Sequence, residues 1–335
     1  MDLDLLRRTL DDLGEPRFRA KQVWRWMATG APSFDAMTDL PLRLRDELTE
    51  RVPFSTLTLE REAHAKDGTV KALFSTADGR PVEAVLMRYR DRRHSVCLSS
   101  QSGCPLTCTF CATGQMRFGR NLNASEIVDQ ALHFRRVGPV DHGVFMGMGE
   151  PMMNLDAVLG ACDRLPDLGV TSRRTAISTV GWIPGIERLT DDPRPIRLAL
   201  SLHAAEPALR SELMPVNDRY PLPEVLDACR AHYARKRRRV FVEYVMLAGI
   251  NDSRVQAVQL AEILDPKVFK VNLIPYNPTG SGFDGSTPKA IDSFRAELER
   301  RGLPATVRLT RGREIDAACG QLAGASARGT VGAPG

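Results

Sequence analysis

The sequence predicts an α/β protein: a partial (β/α)6 barrel preceded by a small N-terminal helical domain and linking β-strands. Three observations carry this expectation. From Val96 onward, short apolar runs alternate with amphipathic windows of helical period, the pattern of a parallel sheet with crossover helices. Six such runs are too few to close an eight-stranded barrel. Ahead of them the apolar period switches from helical to strand-like, so a different architecture precedes the barrel.

In chain order, Leu3, Leu6, Leu10 and Leu13 recur at helical spacing, and Phe18 to Met27 carries Val23, Trp24 and Met27 after Pro16. Residues 1–55 therefore read as a helical accessory domain. From Leu57 to Tyr89 the pattern alternates, with Val70 to Phe74 and Val82 to Leu86 on either side of an Asp78-Gly79 turn, so residues 56–90 read as linking strands. The barrel core is expected over residues 91–312. Its strand candidates are Ser95 to Ser99, Gly143 to Met146, Thr175 to Ser178, Ile196 to Leu202, Val240 to Leu247 and Lys270 to Ile274. Asn123 and Glu126 form a capping pair for the first crossover helix, and Leu155, Val158, Leu159 and Leu165 mark the next. Pro223 to Ala234 and Val255 to Leu264 follow the fourth and fifth strands. Residues 313–335 form a C-terminal segment whose Gly- and Ala-rich end after Gly324 is expected to be disordered.

With 335 residues, 43% of them hydrophobic, the chain can bury a sizeable core and is neither fibrous nor disordered. The net charge of +5 permits a polyanionic partner without requiring one. Its distribution says more. Arg235-Lys236-Arg237-Arg238-Arg239 is a continuous basic run, and Arg88, Arg90, Arg92 and Arg93 crowd the approach to the cysteine segment. The ordinary alternative is a solvated helix end, where cations are favoured. Seven cysteines, an odd number with three clustered, point to metal ligation in a reducing compartment rather than a disulfide framework. No stretch approaches the ~20 apolar residues of a membrane span, and Met-Asp-Leu-Asp at the start lacks the layout of a secretory signal. A cytoplasmic protein with no membrane partner is expected. Cys162 and Cys229 sit in apolar-periodic helical stretches, where a free cysteine packs as a small hydrophobe.

The chemistry concentrates at Gly103-Cys-Pro-Leu-Thr-Cys-Thr-Phe-Cys111. Thiolates spaced C-x3-C-x2-C can all reach one iron–sulfur cluster, and a cubane held by Cys104, Cys108 and Cys111 keeps one iron open. With Phe110 before the last cysteine, this is the signature of the radical S-adenosylmethionine (SAM) enzymes, whose hard chemistry the cofactor carries. The alternative is structural zinc with Cys97 as a fourth ligand; the spacing fits the usual zinc ribbons and fingers poorly.

Parallel barrels do their chemistry at the C-terminal ends of the strands. The second strand ends in Met146-Gly-Met-Gly149-Glu150-Pro151, where glycines admit a ligand and Glu150 offers an acceptor for an ammonium group. Ser178 closes the third strand, Ser201-Leu202-His203 the fourth, and Asn277 follows the sixth. Each is weak alone, because such residues commonly end strands. Together they suit the ribose, carboxylate and adenine edges of SAM. Three residues stay open on this reading. Cys97 is either a buried hydrophobe or a ligand. Cys319 sits among small residues, with Arg311 and Arg313 expected to favour its thiolate. Glu83, on an apolar strand, is either a surface acid or an inward carboxylate with a function.

The cysteine stretch, Arg120-Asn121-Leu122, Gly147-Met-Gly-Glu-Pro151, Ser201-Leu-His203-Ala204, Glu243 to Leu247, Asn272-Leu-Ile-Pro275 and Asp316-Ala-Ala-Cys-Gly-Gln-Leu322 resemble the RlmN/Cfr family of RNA adenine methyltransferases. The resemblance spans residues 16 to 324, in order. It implies a radical SAM barrel carrying a [4Fe-4S] cluster on Cys104, Cys108 and Cys111, and two SAM molecules per turnover. It further implies that Gly149, Glu150, Ser178, Ser201, Leu202, His203 and Asn277 hold SAM. By the family pattern Cys319 is methylated first, a radical formed on that methyl group adds to the adenine ring, Glu83 accepts the ring proton, and Cys97 forms a disulfide with Cys319 that releases the product. The implied partners are 23S rRNA, tRNA, and an electron donor such as a flavodoxin or ferredoxin, with the N-terminal helices and basic segments gripping RNA. The carbon-2 branch fits better than the carbon-8 resistance branch. A non-enzymatic RNA-binding module with a structural metal site is the rival from another class.

Overall fold

The computed structural model describes residues 1–322. Helices begin where a side chain can satisfy the free N–H groups of the first turn. α1 (Leu3–Asp12) opens with the Asp2 carboxylate accepting from the N–H groups of Asp4 and Leu5, and α2 (Phe18–Ala28) and α3 (Leu42–Arg51) follow. Leu3, Leu6, Leu10, Val23, Met27 and Leu48 join the same buried cluster as the sheet residues, so the expected N-terminal helices share a core with the barrel. Two polar contacts tie them down. The Met1 ammonium pairs with Asp129, and the Trp24 indole N–H donates to Asp167 at 2.6 Å.

β1 (Leu57–His64), β2 (Val70–Thr76) and β3 (Pro81–Arg88) form an antiparallel meander. The turn between β2 and β3 uses Gly79 at φ 73°, as the Asp-Gly signal predicts. β4 (His94–Cys97) pairs antiparallel with β3, and from there the sheet changes direction. β5 (Gln101–Ser102) and β6 (Arg120–Asn121) make a small separate pair that brackets the cysteine loop. β7 (His142–Phe145), β8 (Thr175–Thr179), β9 (Arg197–Ser201), β10 (Val240–Met246), β11 (Phe269–Pro275) and β12 (Ala305–Val307) then add in order, every pair from β4 onward parallel. The full order is β1-β2-β3-β4-β7-β8-β9-β10-β11-β12, with β4 and β12 unpaired to each other, so the barrel is partial.

All six expected barrel strands are present, each within a few residues of its expected bounds. β12 is an addition: three residues are too short to show a period. The first crossover helix, α4 (Ala124–Val137), carries the expected Asn123/Glu126 capping box. α5 (Leu155–Cys162), α6 (Ile183–Asp191), α7 (Pro207–Leu213), α8 (Leu222–Lys236), α9 (Arg254–Ile263) and α10 (Pro288–Arg300) complete the outer layer. Strands covered on both faces need continuous apolar sequence, and Val240, Val242, Tyr244, Val245 and Met246 of β10 are all buried. The Tyr244 ring lies 5.2 Å from that of Phe294 on α10, and its hydroxyl donates to the Asn251 carbonyl at 2.7 Å. Burying such a ring is worth about 1.5–3 kcal/mol. Cys162 and Cys229 are buried in this core. Among the described residues no helix is long and apolar enough to cross a membrane. The Gly- and Ala-rich end after Gly324 lies outside the described residues.

Candidate active site

Parallel strands place every C-terminal end on one rim. From β4 the chain turns at Gly103 (φ 74°), where a Cβ would stand 2.5 Å from the Arg117 carbonyl oxygen, and carries Cys104, Cys108 and Cys111 onto that rim. Neighbours fix the loop. Thr109 N–H donates to Leu213 O of α7 at 3.0 Å and Ala112 N–H to Gly320 O at 2.8 Å. The Thr113 hydroxyl donates to Leu322 O at 2.5 Å.

The three thiols line one cavity with about 980 Å³ of unfilled space, counting the part open to solvent. Burial pushes Cys104 up to about 12 and raises Cys108 and Cys111 as well, so a metal must displace their protons to bind. Three cysteine thiols on one cavity are the donor set of a three-cysteine iron–sulfur cluster, each thiolate on its own iron. Cys97 faces an adjoining cavity with Cys319 instead, which leaves the zinc arrangement without its fourth ligand.

The rest of the rim is polar. Gly149 sits at φ 94°, where a Cβ would meet Gln101 Cβ at 2.5 Å. Glu150 is buried, and its carboxylate oxygens accept from Met152 N–H and Val180 N–H at 3.0 Å each. Burial raises its carboxyl to about 7, a state that a bound ammonium would relieve. Ser178 and Ser201 stand with their hydroxyls 3.2 Å apart on the cavity wall. His203 has φ 59°, a conformation costing about 1–3 kcal/mol for a residue with a side chain. Its Nδ1 accepts from Val245 N–H at 3.0 Å, and burial lowers its pKa to about 3. The ring is therefore neutral, with Nε2 carrying the proton; it packs edge-on against Phe110 at 4.8 Å. Asn277 lines the adjoining cavity, its buried Oδ1 without a hydrogen-bond partner. Leu202 is fully buried and not part of the cavity lining. Its carbonyl accepts from the Arg210 guanidinium at 3.2 Å.

Cys319 lines both cavities, facing the cysteine cluster on one side and Cys97 on the other. Both thiols are free, and burial first, then Cys319, pushes Cys97 up to about 12. Arg308 and Arg311 both line the cavity that Cys319 shares with Cys97. Cys319 is the chief cause holding the Arg308 guanidinium charged, whereas Arg311 lies over the Tyr89 ring and Arg313 donates to Tyr276 O. Glu83 is buried on β3, its carboxylate 3.1 Å from Lys71 Nζ. Lys71 also donates to Asp316 O at 3.2 Å, which links Glu83 to the Cys319 loop.

Sequence reasoning missed Arg210, Arg308 and Lys71. Arg210 is fully buried on α7, donating to Leu202 O, to Asn217 Oδ1 at 2.6 Å and to Val180 O at 2.7 Å. It holds the loops after β8 and β9 together. The only signal was its place after the Ser201-Leu-His203 motif.

Residues 98–261 match the Radical SAM superfamily, and residues 1–53 match the ribosomal RNA large subunit methyltransferase N-terminal domain. The chain is 47% identical to the "Probable dual-specificity RNA methyltransferase RlmN" of Chloroflexus aurantiacus, covering 96% of this chain and 91% of the relative. It is 43% identical to the protein of the same description in Thermus thermophilus, covering 96% and 92%. A radical SAM methyltransferase from Sphaerobacter thermophilus has a similar crystal structure, with a TM-score of 0.89 and 43% identity over 96% of this chain and 97% of that one.

Proposed function

Because the chain belongs to the RlmN family of radical SAM RNA methyltransferases, we propose that it methylates carbon 2 of an adenine in 23S rRNA, and of the adenine next to the anticodon in some tRNAs. The observation that carries this is the position of Cys319, on one cavity with Cys104, Cys108 and Cys111 and on the next with Cys97.

Cys104, Cys108 and Cys111 would hold the [4Fe-4S] cluster, and Gly149, Glu150, Ser178, Ser201, Leu202, His203 and Asn277 would hold SAM, two molecules per turnover. Once bound, cluster and SAM supply the electron and the radical that takes a hydrogen from the methyl group on Cys319. The residues do the rest. Cys319 first attacks the methyl group of one SAM: its sulfur–carbon bond forms as the sulfonium–methyl bond breaks, the thiol proton is lost and S-adenosylhomocysteine leaves. After the methylene carbon bonds to the adenine ring, Glu83 takes the ring proton, and Lys71 beside it steadies the carboxylate until then. The adduct also gives up one electron, which a bound cluster would accept. Cys97 then attacks the Cys319 sulfur, the sulfur–methylene bond breaks with its electron pair on the carbon, and that carbon takes up a proton to become the methyl group. The disulfide left behind needs two electrons before the next turnover.

Residues 1–55 serve as an RNA-binding accessory unit, 56–90 link it to the core over 91–312, and 313–335 carry Cys319. The target base must leave its stack to reach so enclosed a site. A flavodoxin or ferredoxin in the cytoplasm supplies electrons. The test is anaerobic turnover with methyl-deuterated SAM and an rRNA hairpin, followed by mass analysis of the nucleosides. A 2-methyladenosine lacking one of the donor methyl deuteriums is expected. An 8-methyl product assigns the protein to the other branch, and SAM cleavage with no methylated nucleoside refutes the RNA assignment.

A further inference from the structure

We propose that RNA docks its phosphates on the N-terminal mouth of the barrel, opposite the cysteine loop, and that the target base enters the barrel from that end; this rests on the RNA reading above. Parallel strands put all their N-terminal ends on one rim, and arginines collect there. Arg93 precedes β4, Arg173 and Arg174 precede β8, and Arg197 opens β9. These four line one cavity of about 530 Å³ together with Tyr89 and Phe241. The Arg235–Arg239 run converges on the same rim. Arg235 and Lys236 end α8, and the Arg238 guanidinium reaches Pro195 O and Arg173 O.

The charge in this mouth is not neutralised from within. Among the described residues Arg173, Arg174 and Arg197 make no salt bridge, and Arg93 reaches Asp91 only at 4.0 Å. The one acid in the lining, Glu243, stands 3.6 Å from Arg308. Burial and the neighbouring Arg238 both lower the Arg197 pKa, so the cluster pays an electrostatic cost that an anion would remove. Arg197 lies over the Phe241 ring at 4.2 Å and Arg93 over Tyr89 at 4.1 Å. Guanidiniums stacked on rings keep their edges free to fork onto phosphate oxygens.

The mouth also leads somewhere. Met146, Glu243 and Arg308 line both this cavity and the one holding the cysteine cluster, and Met87 joins it to the cavity shared by Cys97 and Cys319. These shared walls set the basic rim and the Cys319 cavities back to back along the barrel axis, the direction an extruded base would take. An acidic redox protein is the competing partner for a basic surface. β10 has seven residues, so this rim stands roughly 20 Å from the cluster end, a poor place from which to deliver an electron.

The test uses the cluster-loaded enzyme and a fluorescent RNA hairpin with an unpaired loop adenine, titrated across a range of KCl concentrations. Wild type, Arg173→Ala/Arg174→Ala and Arg173→Lys/Arg174→Lys are compared, and thermal melts check folding. The alanine pair is expected to bind at least tenfold more weakly, with the slope of log K against log salt shallower by about 2. The lysine pair recovers most of the affinity. SAM cleavage by the dithionite-reduced enzyme without RNA is unchanged in both. Equal RNA affinity in wild type and the alanine pair overturns the proposal, and so does an alanine pair that binds RNA normally but fails only when flavodoxin is the reductant. Failure of the wild type to bind RNA instead refutes the RNA reading on which this one rests.

Discussion

Replacing Arg210 by methionine should loosen the SAM site by removing the clamp between the loops after β8 and β9. The side chain is fully buried and donates to Leu202 O, Asn217 Oδ1 and Val180 O. Each hydrogen bond from a charged donor is worth about 1.5–3 kcal/mol, and the orphaned acceptors add a desolvation penalty. Against this, burial lowers the guanidinium pKa to about 10; a depression from its usual 12.5 is a cost of about 3 kcal/mol that methionine escapes. The net loss is about 2–5 kcal/mol. For 335 residues, each with an unfolding entropy of about 2 cal/mol/K, this lowers Tm by about 3–7 °C. Val180 N–H also holds Glu150, so SAM should bind about tenfold more weakly, a change of about 1.4 kcal/mol. Arg210→Lys keeps the charge without the planar fork and should fall between. Calorimetric melting of the ligand-free protein and SAM titration read both effects. Wild-type Tm and wild-type SAM affinity in Arg210→Met would refute the clamp.

Glu150→Gln tests the buried carboxylate. The folded-state pKa is raised from 4.5 to about 7, so ionising Glu150 destabilises the ligand-free fold, a penalty absent below pH 4.5 and complete above pH 7. The Tm difference between variant and wild type should therefore shift in the variant's favour as pH rises through this window, while the variant binds SAM more weakly than wild type; a pH-independent Tm difference contradicts the burial argument. Single Cys104→Ala, Cys108→Ala or Cys111→Ala proteins should lose the iron–sulfur absorption after reconstitution, and Cys97→Ala should keep it; iron loss in Cys97→Ala would make that residue a ligand. Glu83→Gln should still cleave SAM and methylate Cys319 but release little methylated RNA, and normal product yield would remove Glu83 from proton transfer.

The barrel was legible because strands covered on both faces are dominated by apolar residues, as β10 is apart from Glu243, which lines the barrel interior, and because Asn123 with Glu126 is a local signal for a helix start. β12 escaped because three residues carry no period. The proposed cluster ligands lie within one loop, so spacing alone pointed to them. Cys97 and Cys319 carry no such signal; they come together only through the fold, and only the family resemblance connected them in sequence. Arg210 and Arg308 were invisible because a charged residue on a helix or after a strand reads as solvated. At Cys319 proximity along the chain pointed to Arg311, which does line its cavity, while Arg308, set just after β12, lines it too and carried no signal in the sequence. Arg93 and Arg238, from two basic segments far apart in sequence, meet the same rim only through the parallel topology.

The most direct test of the covalent route is Cys97→Ala incubated with SAM, reductant and the RNA hairpin, then digested and examined by peptide mass spectrometry. The account predicts a stable adduct in which one carbon bridges the Cys319 sulfur and carbon 2 of adenine, because the thiol that would release it is gone. Free methylated RNA without any adduct on Cys319 would contradict it.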